Sequence, residues 1–123
     1  MSKVILIVDD EQEVRSVIRS RLQASGYTTI EAADGRQGVE LVKTRKPDLV
    51  LMDIRMPVMD GYAALHIIKA DETTRNIPVV MLTAVVNELH EKATKGIGAD
   101  GYVTKPFTPE KLLDAIGQFL PTS

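Results

Sequence analysis

The sequence predicts an α/β fold: a doubly wound parallel sheet of five strands carrying five helices. Continuous apolar runs at Val4 to Val8, Leu49 to Met52 and Val79 to Leu82 are rich in Val, Ile and Leu, as in strands buried on both faces. Strand and helix signals alternate from one end of the chain to the other. With short loops and right-handed crossovers, that order gives a parallel sheet with helices on both sides. At 123 residues the chain suits one domain, 1–123, and is too short for an eight-fold barrel of about 250 residues.

Each element has its own signal. The first strand, Val4 to Val8, ends on Asp9-Asp10, and the helix after it puts Val14, Val17, Ile18 and Leu22 on one face before stopping at Gly26. Thr28 to Ala32 reads as the second strand. Asp34-Gly35 turns the chain into a helix with Val39, Leu41 and Val42, which ends before Pro47. Leu49-Val50-Leu51-Met52 runs into Asp53. Pro57 then enforces an extended or turn loop, and Asp60 caps a helix carrying Ala64, Leu65 and Ile68. Val79 to Leu82 ends at Thr83 and leads to a weaker helix over 87–97, which contains Thr94 and Gly96. The short Tyr102-Val103-Thr104 ends at Lys105-Pro106. Thr108 as N-cap and Pro109 at the first helical position open the last helix, with Leu112, Leu113, Ile116 and Phe119. At this size the common strand order is the flavodoxin-like 2-1-3-4-5, which makes strands 1 and 3 neighbours at the switch point.

Composition removes several function classes. A net charge of −2 with no Lys/Arg block gives no electrostatic footprint for nucleic acid. The apolar runs are too short to span a bilayer, and the first is too short, and too soon followed by acids, for a signal peptide. The absence of cysteine excludes disulfides, thiolate chemistry and Cys-based zinc sites, and agrees with a cytoplasmic protein. His66 and His90 fall in unrelated segments and are given no ligand role.

In a parallel sheet the carboxyl ends of the strands share one edge, where open α/β sheets bind ligands. Asp9, Asp10, Asp53, Thr83 and Lys105 then meet in one pocket: three carboxylates, a hydroxyl and an ammonium. Three adjacent carboxylates do not all stay ionised without a cation. Oxygen-only donors with incomplete protein coordination favour Mg²⁺, with Mn²⁺ as an alternative. A cation facing an ammonium and a hydroxyl forms a clamp for a tetrahedral dianion and suits phosphoryl transfer. One carboxylate is then the nucleophile, and Asp53, central in the sheet, is the best placed. The plainer alternative is that Asp9 or Asp10 merely caps a helix.

Read together, Val8-Asp9-Asp10-Glu11, Asp48 to Pro57, Met59-Asp60-Gly61, Leu82-Thr83-Ala84, Gly98 to Tyr102 and Thr104-Lys105-Pro106-Phe107 form an ordered, specific set. With it the chain resembles the receiver domains of bacterial two-component response regulators, the chemotaxis-type, single-domain receivers included. The likeness runs from Lys3 to about Leu120.

The resemblance implies that Asp53 accepts a phosphoryl group from a histidine kinase or histidine phosphotransfer protein. Asp10 and Asp53 would hold Mg²⁺ with the backbone carbonyl of Arg55, and Asp9 would contribute largely through water. Lys105 would pair with the phosphoryl oxygens, Thr83 would bond one of them, and Ala84 would leave room. The Lys105-Pro106 bond is expected to be cis, and Tyr102 fills the aromatic switch position. Arg55 and Val85 would tune the phosphoryl lifetime. The chain would act as a monomer or phosphorylation-dependent dimer. Its chemistry would be self-catalysed phosphotransfer and autodephosphorylation, not enzymatic turnover.

Two output settings follow: a stand-alone receiver acting on a downstream protein, or the receiver of a longer transcriptional or enzymatic regulator whose output domain is missing. Pro121-Thr122-Ser123 directly after the last helix slightly favours the first. A remote alternative is an aspartyl-phosphate phosphatase, but Asp53-Ile54-Arg55 lacks the second acid of the haloacid-dehalogenase pattern. Gly96-Ile97-Gly98-Ala99-Asp100-Gly101 matches a dinucleotide-binding string. It follows a helix and precedes a strand, the reverse of what that fingerprint needs.

Overall fold

The apolar runs form the strands expected of them. The computed structural model describes residues 2–83 and 98–120. In it β1 is Val4–Val8, α1 Gln12–Ala24, β2 Thr28–Ala32, α2 Gly35–Arg45, β3 Leu49–Asp53, α3 Gly61–Ala70, β4 Val79–Thr83, β5 Gly101–Thr104 and α4 Pro109–Gly117. The five strands form one parallel sheet in the order β2-β1-β3-β4-β5. The helix expected over 87–97, with Ala84 and Val85 before it, lies outside the described residues.

Alternation along each strand divides the core into two layers. Ile5, Ile7, Leu49, Leu51, Val80, Leu82 and Val103 face Ile18 and Leu22 of α1 and Leu112 and Ile116 of α4. Leu6, Val8, Val50, Met52, Val79 and Met81 face Val39 and Val42 of α2 and Ala64, Leu65 and Ile68 of α3. Each fully buried Leu or Ile contributes about 1.5–3 kcal/mol over its exposed state.

Three of the four described helices, all but α1, start on a polar side chain that caps them. Asp34 accepts from Gln37 N–H at 2.8 Å, Asp60 from Ala63 N–H at 2.9 Å and Thr108 from Lys111 N–H at 3.2 Å. Such caps contribute about 1 kcal/mol each. No described helix is long and apolar enough to cross a membrane.

Two side chains depart from the expected pattern. Val17 is 59% exposed, because Ile18 and Leu22 take the sheet-facing row and Val17 lies about 100° round the helix from Ile18. Phe119 falls beyond the last helix, which ends at Gly117. There Phe119 N–H and Leu120 N–H both bond the Ile116 carbonyl, at 3.0 and 2.9 Å, and this tight turn keeps Phe119 against the core.

The edge of the sheet opposite the strand carboxyl ends is strapped by one ammonium. Lys69 Nζ donates to the carbonyls of Arg75 (2.9 Å) and Ile77 (2.8 Å) and to Asp100 Oδ2 (2.9 Å). Asp100 Oδ2 also accepts from Val79 N–H at 2.8 Å, and Asp100 N–H bonds the Val79 carbonyl at 2.9 Å. Gly98, at φ +102, packs against the Lys69 stem where a Cβ would crowd it.

Candidate functional site

The register of the sheet brings the acids together. Val8 of β1 lies opposite Met52 of β3, so the residues that follow, Asp9 and Asp53, sit side by side. Oxygen atoms of Asp9, Asp10 and Asp53 all fall within 4.8 Å of one another. Asp9 is fully buried, Asp53 is 8% exposed and Asp10 is exposed. From the far side of the cluster Lys105 Nζ reaches Asp9 Oδ2 at 3.1 Å and Asp53 Oδ1 at 3.4 Å. Asp53 Oδ1 also accepts from Ile54 N–H at 2.9 Å. Asp9 Oδ1 accepts from Glu11 N–H at 2.9 Å, an Asx-turn leading into α1. The N-cap residue is Glu11 and no side chain caps that helix, so Asp9 is not a helix cap.

Burial, then the charge of Asp9, pushes the Asp53 carboxyl above the usual aspartate range, and Lys105 only partly offsets them. Burial works against the Lys105 charge, but Asp53 and Asp9 more than compensate and hold its proton above the ordinary lysine range. The pocket therefore strains against its own negative charge. A divalent cation would relieve that strain, and an all-oxygen set with two acids largely shielded from water fits a hard cation.

Thr83, buried at the end of β4, pairs in register with Thr104, and its carbonyl accepts from Lys105 N–H at 2.6 Å. The Lys105–Pro106 bond is cis. Tyr102 is half-buried against the α2/α3 side of the core. Tyr62 lies near it, its hydroxyl pushed up in pKa by burial, with Asp60 and Tyr102 adding to the effect. Arg55 is exposed and lines an open cleft with Asp10, Ile54, Met56, Pro57, Asp60 and Tyr62.

Backbone contacts hold the loop after Asp53. Gly61 N–H bonds the Ile54 carbonyl at 2.7 Å and Gly35 N–H bonds the Met59 carbonyl at 3.2 Å. A Cβ on Gly61 would overlap the Asp53 carbonyl oxygen, and one on Gly35 the Met59 carbonyl oxygen. Between these anchors Met59 N–H bonds the Pro57 carbonyl at 2.7 Å, a γ-turn that holds Val58 at φ +70. The sequence reading took Gly35 only as a turn residue and passed over Arg15, whose guanidinium donates to the Asp9 carbonyl at 2.6 Å. A glycine after a capping Asp and a charge on an amphipathic helix both have ordinary explanations.

The family model described as response regulator receiver domain matches residues 5–117. The chain belongs to that family. It is a receiver domain of the two-component response regulators, a signalling family. It is 41% identical over 113 residues to the phosphate regulon transcriptional regulatory protein PhoB of Pseudomonas aeruginosa PAO1, covering 92% of this chain and 49% of that protein. It spans about half or less of the first curated relatives it matches (41–49%). The polar-differentiation response regulator DivK of Brucella ovis is 32% identical, over 98% of both chains. Among solved structures, the Vibrio cholerae chemotaxis protein CheY4 superposes with a TM-score of 0.92 at 31% identity, covering 98% of this chain and 100% of that one. The receiver domain of sensor histidine kinase PA1611 from P. aeruginosa PAO1, with a magnesium ion coordinated in its active site cleft, gives 0.89 at 33% identity, covering 97% and 98%.

Proposed function

We propose that the receiver is phosphorylated on Asp53 by a partner phosphohistidine, with Mg²⁺ held by Asp10, Asp53 and the Arg55 carbonyl, and by Asp9 through water. The observation that carries this is the convergence of three carboxylates and the Lys105 ammonium on one pocket. A carboxylate oxygen of Asp53 attacks phosphorus, the bond from phosphorus to the donor histidine nitrogen breaks, and an acyl phosphate forms. A divalent ion held there would supply charge neutralisation for the transferring group. Lys105 pairs with its oxygens from the other side, Thr83 donates to one of them, and the small Ala84 leaves it room. Arg55 and the apolar Val85 set how readily water reaches the product, which should make it moderately long-lived. The chain performs self-catalysed transfer and autodephosphorylation, not enzymatic turnover.

The readout runs through Tyr102, the 87–97 segment and α4. Phosphorylation adds about −1.5 to −2 charges beside Thr83. Drawing Thr83 toward that charge gives Tyr102 room to turn, and the resulting surface docks a downstream protein or an attached output domain. The magnesium-bearing cleft of the PA1611 receiver supports the metal reading, and DivK and CheY4 support a receiver acting as a separate protein.

Intact-mass analysis after treatment with acetyl phosphate and Mg²⁺ tests the assignment. Wild type should gain one phosphoryl group, while Asp53→Asn and EDTA-treated protein should gain none. Equal labelling of the Asn variant overturns it.

A further inference from the structure

We infer that Arg15 is a positioning residue for the acidic pocket, and that Glu31 orients it. Arg15 Nη1 donates to the Asp9 carbonyl at 2.6 Å, while its Nε donates to Glu31 Oε1 at 3.2 Å. That carbonyl belongs to the peptide joining Asp9 to Asp10. Gripping it fixes the peptide plane from which the Asp10 side chain departs. The grip is charge-assisted and short, and the Arg15 side chain is 15% exposed. The other side of the Asp9 residue is held too, because its N–H bonds the Ala32 carbonyl at 3.2 Å, next to Glu31 in β2. Glu31 Oε2 is in turn engaged by Arg19 at 2.8 Å, which leaves one carboxylate oxygen for each arginine. Strand β2, which contributes no residue to the pocket, thus determines through Glu31 and Arg15 how Asp10 is presented.

The sign of the effect separates this role from a charge effect. Arg15 is a cation near an anionic pocket, so by charge alone its removal would strengthen binding of a divalent cation. If it positions Asp10, its removal weakens binding. Loss of an outer partner typically costs a metal site 10–100-fold in affinity. The inference rests on the reading of Asp10 as a metal ligand, and the variants keep the two apart.

Mg²⁺ affinity of the unphosphorylated protein, measured by titration calorimetry alongside thermal melting, tests it. Arg15→Ala should bind Mg²⁺ roughly tenfold more weakly. Arg15→Lys, which keeps the charge and a donor on a shorter stem, should recover part of the loss, and the near-isosteric Glu31→Gln should fall between them and wild type. Arg19→Ala removes the same charge but touches no pocket atom, and should stay within about twofold of wild type. Acetyl phosphate labelling of Arg15→Ala should need more Mg²⁺ for half-saturation yet approach the wild-type rate at saturation. A lowered melting temperature with unchanged or tighter Mg²⁺ binding overturns the inference. Should Arg15→Ala fail to fold, Glu31→Gln carries the test, and its binding as tightly as wild type is equally fatal. If Asp10→Asn binds Mg²⁺ as well as wild type does, the metal reading itself falls, and the inference with it.

Discussion

Lys105 and Asp9, 96 positions apart in sequence, form an ion pair of 3.1 Å in which the carboxylate is fully buried and the ammonium is 20% exposed. Without Asp9 the ammonium keeps Asp53 at 3.4 Å, whereas without Lys105 the buried Asp9 charge loses its ion pair. Among the described residues, Lys105→Ala leaves the Asp9 carboxylate with Glu11 N–H as its partner, and should cost about 1–3 kcal/mol. A double-mutant cycle with Asp9→Asn, read by urea denaturation, should give a coupling of about 0.5–3 kcal/mol. Additive single effects would mean that the pair contributes nothing beyond its parts.

Asp53 makes the opposite contribution to stability in the metal-free protein. Its folded pKa lies above the unfolded value near 3.8, through burial and then the charge of Asp9. Between those two values the folded state holds the proton that the unfolded chain has released, so stability falls as pH rises through that window. Asp53→Asn removes the ionisation. Melting in EDTA should find the Asn variant more stable than wild type at neutral pH, with the advantage shrinking as pH drops below the carboxylate range. An advantage independent of pH would assign the effect to something other than this carboxyl.

Val58 is a β-branched residue at the centre of the Pro57–Met59 γ-turn, at φ +70 and 76% exposed. It loses little packing when replaced, and its backbone conformation costs about 1–2 kcal/mol relative to residues that tolerate it. Val58→Gly, which takes up positive φ without steric cost, should therefore stabilise the protein by about 1 kcal/mol, less what its looser unfolded chain loses. Val58→Asn should gain less, because its tolerance is for the αL region and not for this turn. Chemical denaturation of the three proteins checks the order.

Gly61 tolerates no side chain. An added Cβ would overlap the Asp53 carbonyl oxygen and crowd the Ile54 backbone, so the chain itself must move. Gly61→Ala should cost about 1–3 kcal/mol and displace the cleft loop. Amide shift changes concentrated in residues 53–61 would show it, whereas an unperturbed loop would mean that the strain is absorbed elsewhere.

The sheet was legible because β1, β3 and β4 are buried on both faces and leave uninterrupted apolar runs, while the edge strand β2, without such a run, still carries the bounds the sequence suggests. The acids and Lys105 could be brought together because one topological assumption, parallel order 2-1-3-4-5, sends every strand end to the same edge. Val17 was misplaced because helical periodicity defines a broad apolar stripe, while only contact with the sheet narrows it to Ile18 and Leu22. Arg15 and Glu31 escaped notice for a different reason. A charged residue on a helix or an edge strand is ordinarily solvated, and their pairing across 16 positions exists only once α1 packs beside β2. Gly35 was visible as a turn residue, yet its contact with Met59 depends on how two loops meet.

The Lys69 strap has a mechanical corollary. All three of its oxygen partners lie around the starts of β4 and β5, at the end of those strands remote from Lys105 and Thr83. Two neighbouring strands clamped at one end and carrying chemistry at the other behave as a pair of levers on a common fulcrum. The clamp thereby fixes from the far end the register that sets Thr83 opposite Thr104, next to Lys105.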